Sequence, residues 1–165
     1  MVKKNLIKTY LLISLVILTF QAGFADSPLT STEFYKAYLD VPVVKAASDN
    51  PKKLSEEAKA YLYDEGNPLD VKIALINAVG WDIDGLPTYS EYIEYCLGHF
   101  PKAKYGIPED RLLTPEDLYA AASCEQMAVL VYLHAMADYN DTESNYGFME
   151  LAMQTPLNTQ SFMLP

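Results

Sequence analysis

Helix start and stop signals recur between residues 30 and 154, whereas the alternating pattern of a β-strand is absent. Four clusters place a hydroxyl residue ahead of acidic residues, which cap the free backbone amides of a first helical turn. Between them lie glycine and proline breaks. The pattern predicts an all-α fold of helical hairpins, packed as a small bundle or a short stack. The predicted helices cover residues 31–39, 55–65, 69–80, 88–99, 115–137 with a break near Ser123, and 143–154.

Two of the predicted helices are apolar around nearly their whole circumference. They cover residues 69–79 and 127–136, and each keeps few polar positions. A helix of this kind belongs in a core, and the other helices, with one apolar stripe each, are expected to wrap around the pair. Residues 100–113 hold two prolines and three basic residues and are predicted to form a loop that crosses between two halves.

Residues 1–25 have the three parts of a cleavable export signal. A positive region with three lysines precedes an apolar stretch at 11–20, and residues 23–25 form a cleavage site. The alternative is an uncleaved membrane anchor, since the uncharged stretch 9–25 approaches the roughly 20 apolar residues that span a bilayer. The length of the apolar stretch favours cleavage. We therefore expect an exported protein, periplasmic or extracellular, that begins at Asp26.

The part that remains after cleavage is strongly acidic. Residues 1–25 contain three of the 12 basic residues and none of the 22 acidic ones, so residues 26–165 carry a formal charge of −13. This charge repels nucleic acid and anionic lipid surfaces but is compatible with cations and basic protein patches. The longest apolar run, 128–137, is about half a membrane span, so no span is expected after cleavage. The length of residues 26–165 predicts a single helical domain.

One stretch of the chain resembles a HEAT repeat, a helical hairpin that stacks on its neighbours. Within residues 62–80, Pro68 forms the corner, and the next helix has valine, then the basic Lys72, then small apolar residues. The resemblance implies a short stack of helix pairs with a concave binding face and no chemistry of its own. A shift of 56 residues also aligns apolar positions in 55–99 with those in 111–154. These stretches are either related halves or unrelated hairpins.

The loop of residues 82–91 is the sharpest candidate for a metal site. Asp82, Asp84 and Glu91 match three ligand positions of an EF-hand loop, in which oxygen atoms surround a calcium ion. A glycine at the first ligand position and a proline at the central apolar position depart from that pattern. The alternative is an exposed turn after which Thr88 caps the next helix. The sequence favours the turn.

Aromatic and acidic side chains around the same loop predict a binding surface. Tyrosine combines a large contact area with few rotamers to lose, which suits recognition of proteins or sugars. The alternative is that these rings fill the edge of a small helical core. The candidate surface comprises Trp81, Tyr89, Tyr92, Tyr95, Asp138 and Asp141.

The cysteines Cys96 and Cys124 and the histidines His99 and His134 are the remaining candidates for chemistry. In an exported protein the cysteines can form one disulfide, and the alternative is two buried thiols that pack as small apolar groups. A thiol enzyme that uses Cys96 with a histidine is disfavoured, because no known signature surrounds either cysteine. His134 lies within an apolar helix and is expected to be a core residue. The spacings match no zinc pattern.

Composition, compartment and candidate surface together favour a protein that acts by binding in the cell envelope over an enzyme, without deciding between them. An inhibitor or an immunity-type partner of a secreted enzyme fits this description. Binding to a basic protein partner is expected to be steered by the negative charge and weakened by salt. Two alternatives stay open: a calcium-binding module that uses the 82–91 loop, and a hydrolase whose pair of carboxylates converges only in three dimensions.

Overall fold

Helices form the framework of the protein. The computed structural model describes residues 31–82 and 85–138, together with residues 141 and 147. These residues contain six packed α-helices, two short 3₁₀ helices at Phe34–Tyr38 and Lys102–Tyr105, and no strand, which confirms the all-α prediction. The α-helices are α1 (Pro42–Asp49), α2 (Glu56–Tyr63), α3 (Leu69–Val79), α4 (Thr88–Gly98), α5 (Pro115–Ala121) and α6 (Cys124–Ala137).

Capping side chains explain where two of the helices begin, and the cap at Ser55 was expected from the sequence. The Ser55 hydroxyl accepts a hydrogen bond from an amide in the first turn of α2 at 3.1 Å. Across the start of α6, Ser123 and Gln126 exchange side-chain to backbone hydrogen bonds of 3.2 and 2.8 Å. Such bonds satisfy amides that have no partner within the helix. The helix predicted over 115–137 is therefore divided near Ser123, as expected.

Three local details differ from the sequence-based expectation. The capping pattern does not reveal α1, because Val41 precedes it without a capping side chain and only Pro42, at the first helical position, marks its start. The predicted helix over 31–39 is a 3₁₀ helix. Thr88 does not cap α4, because it lies within the helix and is 2% exposed, while Pro87 occupies the cap position.

The two strongly apolar helices form the centre of the fold, as predicted. α3 packs against α1, α6 and the first 3₁₀ helix, whereas α4 packs against α2, α5 and α6. Leu75 and Ile76 of α3 and Met127 of α6 are completely buried. Burial of a side chain of this size contributes roughly 1.5–3 kcal/mol to folding. The contact between α3 and α6 therefore organises the surrounding helices.

A buried asparagine connects three elements at this centre. Asn77 of α3 accepts a hydrogen bond from the Tyr35 amide at 3.2 Å and donates one to the Tyr132 hydroxyl of α6 at 3.1 Å. A buried polar group needs such partners, since an unsatisfied one costs about 1–3 kcal/mol. These bonds fix both the first 3₁₀ helix and α6 against α3.

The loop between α3 and α4 packs onto the end of α6. α3 ends at Val79, and the φ of +79° at the next residue, Gly80, is a conformation that glycine adopts without strain. Beyond it, the Leu86 amide donates to the carbonyl oxygen of Ala137, the last residue of α6, at 2.8 Å. This bond places the loop that follows Trp81 beside the segment that starts at Asp138.

The order of helices is repeated along the chain. A short helix precedes a longer apolar one in both α2–α3 and α5–α6, and residues 64–68 form the corner of the first pair. The second pair has only two residues between its helices, so this corner is not repeated. The predicted helix 143–154, which would complete the second half, lies outside the described residues except for Gly147. The HEAT-like stack and the relation between the halves stay predictions.

No membrane-spanning helix is found among the described residues. The longest helix there, α6, has 14 residues, and a span needs about 20. None of the described helices is long and apolar enough to cross a bilayer. The export signal predicted for residues 1–25 lies outside the described residues.

Candidate binding groove

An open groove lies between the end of α2, the second 3₁₀ helix and the start of the α5–α6 pair. Its volume is about 440 Å³, which is in the usual range for ligand sites. Leu118 and Ala122 contribute buried apolar surface to its lining. The aromatic rings in the lining are Tyr63, Phe100 and Tyr105, and the polar side chains are Asp64, Glu65, Lys104 and Gln126. We call this feature the aromatic groove.

Tyr63 forms one wall of the aromatic groove and is held in place by α4. Its hydroxyl donates to the His99 carbonyl at 2.8 Å, and its ring meets the Tyr95 ring edge to face with 5.9 Å between centroids. Tyr95 in turn stacks on the His99 ring at 4.0 Å. Such ring contacts contribute about 0.5–1.5 kcal/mol beyond burial. The orientation of the Tyr63 ring is therefore fixed without a ligand.

Phe100 and Tyr105 form a second wall, with 5.2 Å between their ring centroids. Tyr105 is 42% exposed, and its hydroxyl donates to the Ala121 carbonyl at 3.4 Å. The Lys104 ammonium lies over the Tyr105 ring, 5.3 Å from its centroid. At this distance the negative face of the ring attracts a cation. The groove thus offers a solvent-exposed aromatic face that already holds a positive charge.

Two adjacent carboxylates form the acidic rim of the groove. Asp64 accepts a hydrogen bond from the Gly66 amide at 2.9 Å, and Glu65 accepts one from the Gln126 side chain at 3.0 Å. Both residues are exposed. Among the described lysines and arginines, none forms an ion pair with either carboxylate. The rim is therefore oriented by neutral donors.

Lys72 lies beneath this acidic rim. It is 2% exposed and one of the largest buried side chains. Burial lowers the pKa of its ammonium, and attraction by Glu125, Asp64 and Glu65 offsets part of this effect. No ion pair of Lys72 is found among the described residues. The side chain is buried over most of its length, and partial burial of its ammonium reduces stability, because a charge is less well solvated near the interior.

Replacement of Lys72 by methionine is expected to raise the free energy of unfolding at pH 7 by about 1 kcal/mol or less, because solvent screens part of the cost of the charge. Because the folded-state pKa is lowered, the unfolded chain binds more protons between that value and 10.5. Wild-type stability therefore rises with pH through this window, and the advantage of Lys72→Met shrinks there. Urea unfolding at several pH values measures both effects. Exposed Lys53→Met is the control, and an equal change in both variants would contradict the explanation.

The predicted tyrosines of α4 do not form one surface. Tyr92 is 3% exposed and lies in the core, so its assignment to a binding surface is wrong. Tyr89 is half-buried, and its hydroxyl lies 2.9 Å from that of Tyr119. Tyr95 packs behind Tyr63 and so supports the aromatic groove. Trp81, 37% exposed, is the most accessible ring of the predicted set.

The predicted residues Asp138 and Asp141 lie at the end of α6. Asp138 is exposed, and its carboxylate accepts a hydrogen bond from the Asp141 amide at 3.2 Å. The Asp141 carboxylate lies 3.9 Å from Nε2 of His134. His134 is 8% exposed and packs edge to face on the Tyr89 ring at 4.7 Å, as expected for a core histidine. The contact of Leu86 with Ala137 brings this end of α6 close to the 82–91 loop.

Two of the three predicted calcium ligands lie in the described part of the chain, and both are close to lysines. Asp82 forms an ion pair with Lys52, and Glu91 lies 3.8 Å from the Lys59 ammonium. Asp84 lies outside the described residues, so the calcium site stays a prediction. Among the described His, Cys, Asp and Glu side chains, no group of three is arranged to hold a metal ion.

Both cysteines are free thiols, so the disulfide between Cys96 and Cys124 is not formed in the structure. Cys96 is 3% exposed, and burial raises the pKa of its thiol to about 11, against a smaller lowering by a hydrogen bond with Tyr92. At neutral pH this thiol is protonated and a weak nucleophile. Cys96 is therefore a buried thiol that packs as an apolar group, which was the alternative to a disulfide.

Sequence reasoning did not identify the aromatic groove, because its residues come from three separate segments. Tyr63 ends a helix, Gln126 belongs to a capping box, and Phe100 and Tyr105 lie in the predicted loop 100–113. Two aromatic residues within an otherwise polar loop are a weak sequence signal, and they do not indicate which segments meet them. No protein-family model matches the chain, and neither a curated protein nor a solved structure matches it. The function must therefore be inferred from the geometry.

Proposed function

We propose that this chain is an exported binding protein that holds a segment of a partner protein in the aromatic groove. The observation that carries the proposal is the groove itself, about 440 Å³ in volume, with the fixed ring of Tyr63 and the exposed ring of Tyr105 in its lining. Rings that are ordered before binding provide contact area at little cost in entropy. Aromatic residues are also enriched at protein interfaces.

The lining combines the groups that hold a peptide. Leu118 and Ala122 provide apolar surface for a side chain, while the carboxylates of Asp64 and Glu65 provide acceptors at the rim. Peptide sites commonly join apolar pockets with a few oriented polar groups. A segment of a few residues matches this size and chemistry better than a large flat surface does.

Net charge and compartment support a basic partner in the cell envelope. Residues 26–165 carry a formal charge of −13 if the export signal at residues 1–25 is removed. A negative field speeds encounter with a basic protein and is screened by salt. A role as an inhibitor or an immunity-type partner of a secreted enzyme belongs to this proposal.

A peptide-display selection tests the proposed site without knowledge of the partner. A random library is selected on the wild-type protein, and the enriched peptides are measured against Tyr105→Ala. We expect this change to weaken binding about tenfold or more, as loss of a central aromatic contact does. Trp81→Ala is the matched control, because Trp81 has similar exposure but does not line the groove.

The two variants separate the candidate surfaces. Loss of binding in Tyr105→Ala with retention in Trp81→Ala supports the aromatic groove. The reverse pattern would place recognition on the loop near Trp81 and contradict the proposal. Circular dichroism of both variants checks that each is folded.

A further inference from the structure

The acidic rim of the aromatic groove consists of two neighbouring carboxylates without a lysine or arginine partner among the described residues, unlike several acidic residues elsewhere in that part of the chain. Glu33, Asp49 and Asp117 each form a close ion pair with a lysine or arginine of the same chain. Asp64 and Glu65 have no such pair among the described residues, yet hydrogen bonds from Gly66 and Gln126 orient them. Oriented carboxylates bind a cation more strongly than mobile ones, because less side-chain freedom is lost.

The aromatic lining next to this rim also suits a cation. The rings of Tyr63, Phe100 and Tyr105 offer faces against which a long aliphatic stem can pack, as the stems of lysine and arginine do. Lys104 already places its ammonium over the Tyr105 ring at 5.3 Å. The groove therefore contains an internal example of the contact that a cationic ligand would make. The Lys104 charge also competes with such a ligand.

We propose that the aromatic groove receives an arginine or lysine side chain of the partner. The stem of this side chain packs on the aromatic rings, its cation binds Asp64 and Glu65, and the Lys104 ammonium moves off the Tyr105 face. This inference rests on the proposed function and specifies the ligand class. Arginine is the stronger ligand, because its planar guanidinium can donate to a carboxylate through two parallel bonds.

The first arm of the test changes the ligand. The blocked peptide acetyl-Gly-Ala-Arg-Ala-Gly-amide and its citrulline counterpart are titrated into the ¹⁵N-labelled protein. Citrulline keeps the shape of arginine and removes its charge. We expect the arginine peptide to shift the amide signals of Glu65 and Tyr105 and to bind about tenfold more tightly than the citrulline peptide. Equal affinities, or no shift of these signals, would overturn the proposal.

The second arm compares two pairs of protein variants. Both members of a pair make the same change in net charge, one in the groove and one away from it. Glu65→Gln is expected to weaken binding of the arginine peptide about tenfold, and exposed Glu57→Gln to change it less than twofold. Lys104→Gln is expected to tighten binding about threefold, because the competing cation is gone. Exposed Lys53→Gln makes the same change in net charge away from the groove. If both variants of either pair changed the affinity for the arginine peptide equally, long-range electrostatics alone would explain the result. That outcome would overturn the proposal.

The display selection separates failure of this inference from failure of the proposed function. Selected peptides that require Tyr105 but contain neither lysine nor arginine would contradict the proposed cation site. They would still support the aromatic groove as a peptide-binding site. Selected peptides whose binding is indifferent to Tyr105→Ala would contradict both. Enrichment of a basic residue in Tyr105-dependent peptides supports both.

Discussion

Replacement of Tyr92 by alanine is expected to lower the free energy of unfolding by about 3–5 kcal/mol, as other large aromatic truncations in protein cores do. Tyr92 is 3% exposed, and burial in the core raises the pKa of its phenol. Truncation leaves a cavity in the core. A Tyr92 variant that fails to bind a partner would therefore report unfolding rather than lost recognition.

Urea unfolding of Tyr92→Ala beside Tyr105→Ala measures this difference. Tyr105 is 42% exposed, so its truncation is expected to change stability by less than about 1 kcal/mol. Because both variants lose the same phenol group, the comparison isolates burial. Similar small losses in the two variants would contradict the placement of Tyr92 in the core.

Asn77→Ala is expected to lower the free energy of unfolding by about 2–4 kcal/mol, because two hydrogen bonds between elements are lost together. The Tyr35 amide and the Tyr132 hydroxyl each lose the partner that Asn77 supplies. Asn77 is 5% exposed, so water has little access to replace it. We expect the first 3₁₀ helix to loosen first, because Asn77 binds the Tyr35 amide of that helix.

Thermal or urea unfolding of Asn77→Ala and Tyr132→Phe tests this role. Tyr132→Phe keeps the ring and removes only the hydroxyl, so it is expected to cost about half as much. Hydrogen exchange at the Tyr35 amide gives a local readout, which should accelerate in Asn77→Ala and change little in Tyr132→Phe. An Asn77→Ala variant as stable as Tyr132→Phe would show that the asparagine does not connect these elements.

Local chemistry made much of the fold predictable from sequence. The caps at Ser55 and Thr114 act within one helical turn, so their effect can be predicted from neighbouring residues. The two strongly apolar helices form the core because their composition leaves no polar face to expose. α1 was missed because its start depends on Pro42 and on packing against α3, not on a hydroxyl cap.

Periodicity groups residues on a helix face but does not tell which way the face points. Tyr92, Ile93 and Cys96 share one side of α4, and all three are buried. Tyr92 is nevertheless a plausible surface residue from its sequence alone, because tyrosine is common both at core edges and in binding sites. The direction was decided by the packing of α4 against α2, α5 and α6.

The aromatic groove depends entirely on tertiary contacts. Tyr63 and Gln126 are far apart in sequence and meet there because α2 ends near the start of α6, where Gln126 donates to Glu65. No local pattern contains this information. The burial of Lys72 is likewise invisible in sequence, where a lysine in a helix normally predicts an exposed position.

The most direct test of the central claim is an NMR titration of the ¹⁵N-labelled protein with a display-selected peptide. We expect the largest amide shifts at Glu65, Tyr105 and Ala122, which line the aromatic groove. Signals of Trp81 and Asp138 should change little. Shifts concentrated at Trp81 and Asp138, with the groove signals unmoved, would contradict the assignment of the aromatic groove as the binding site.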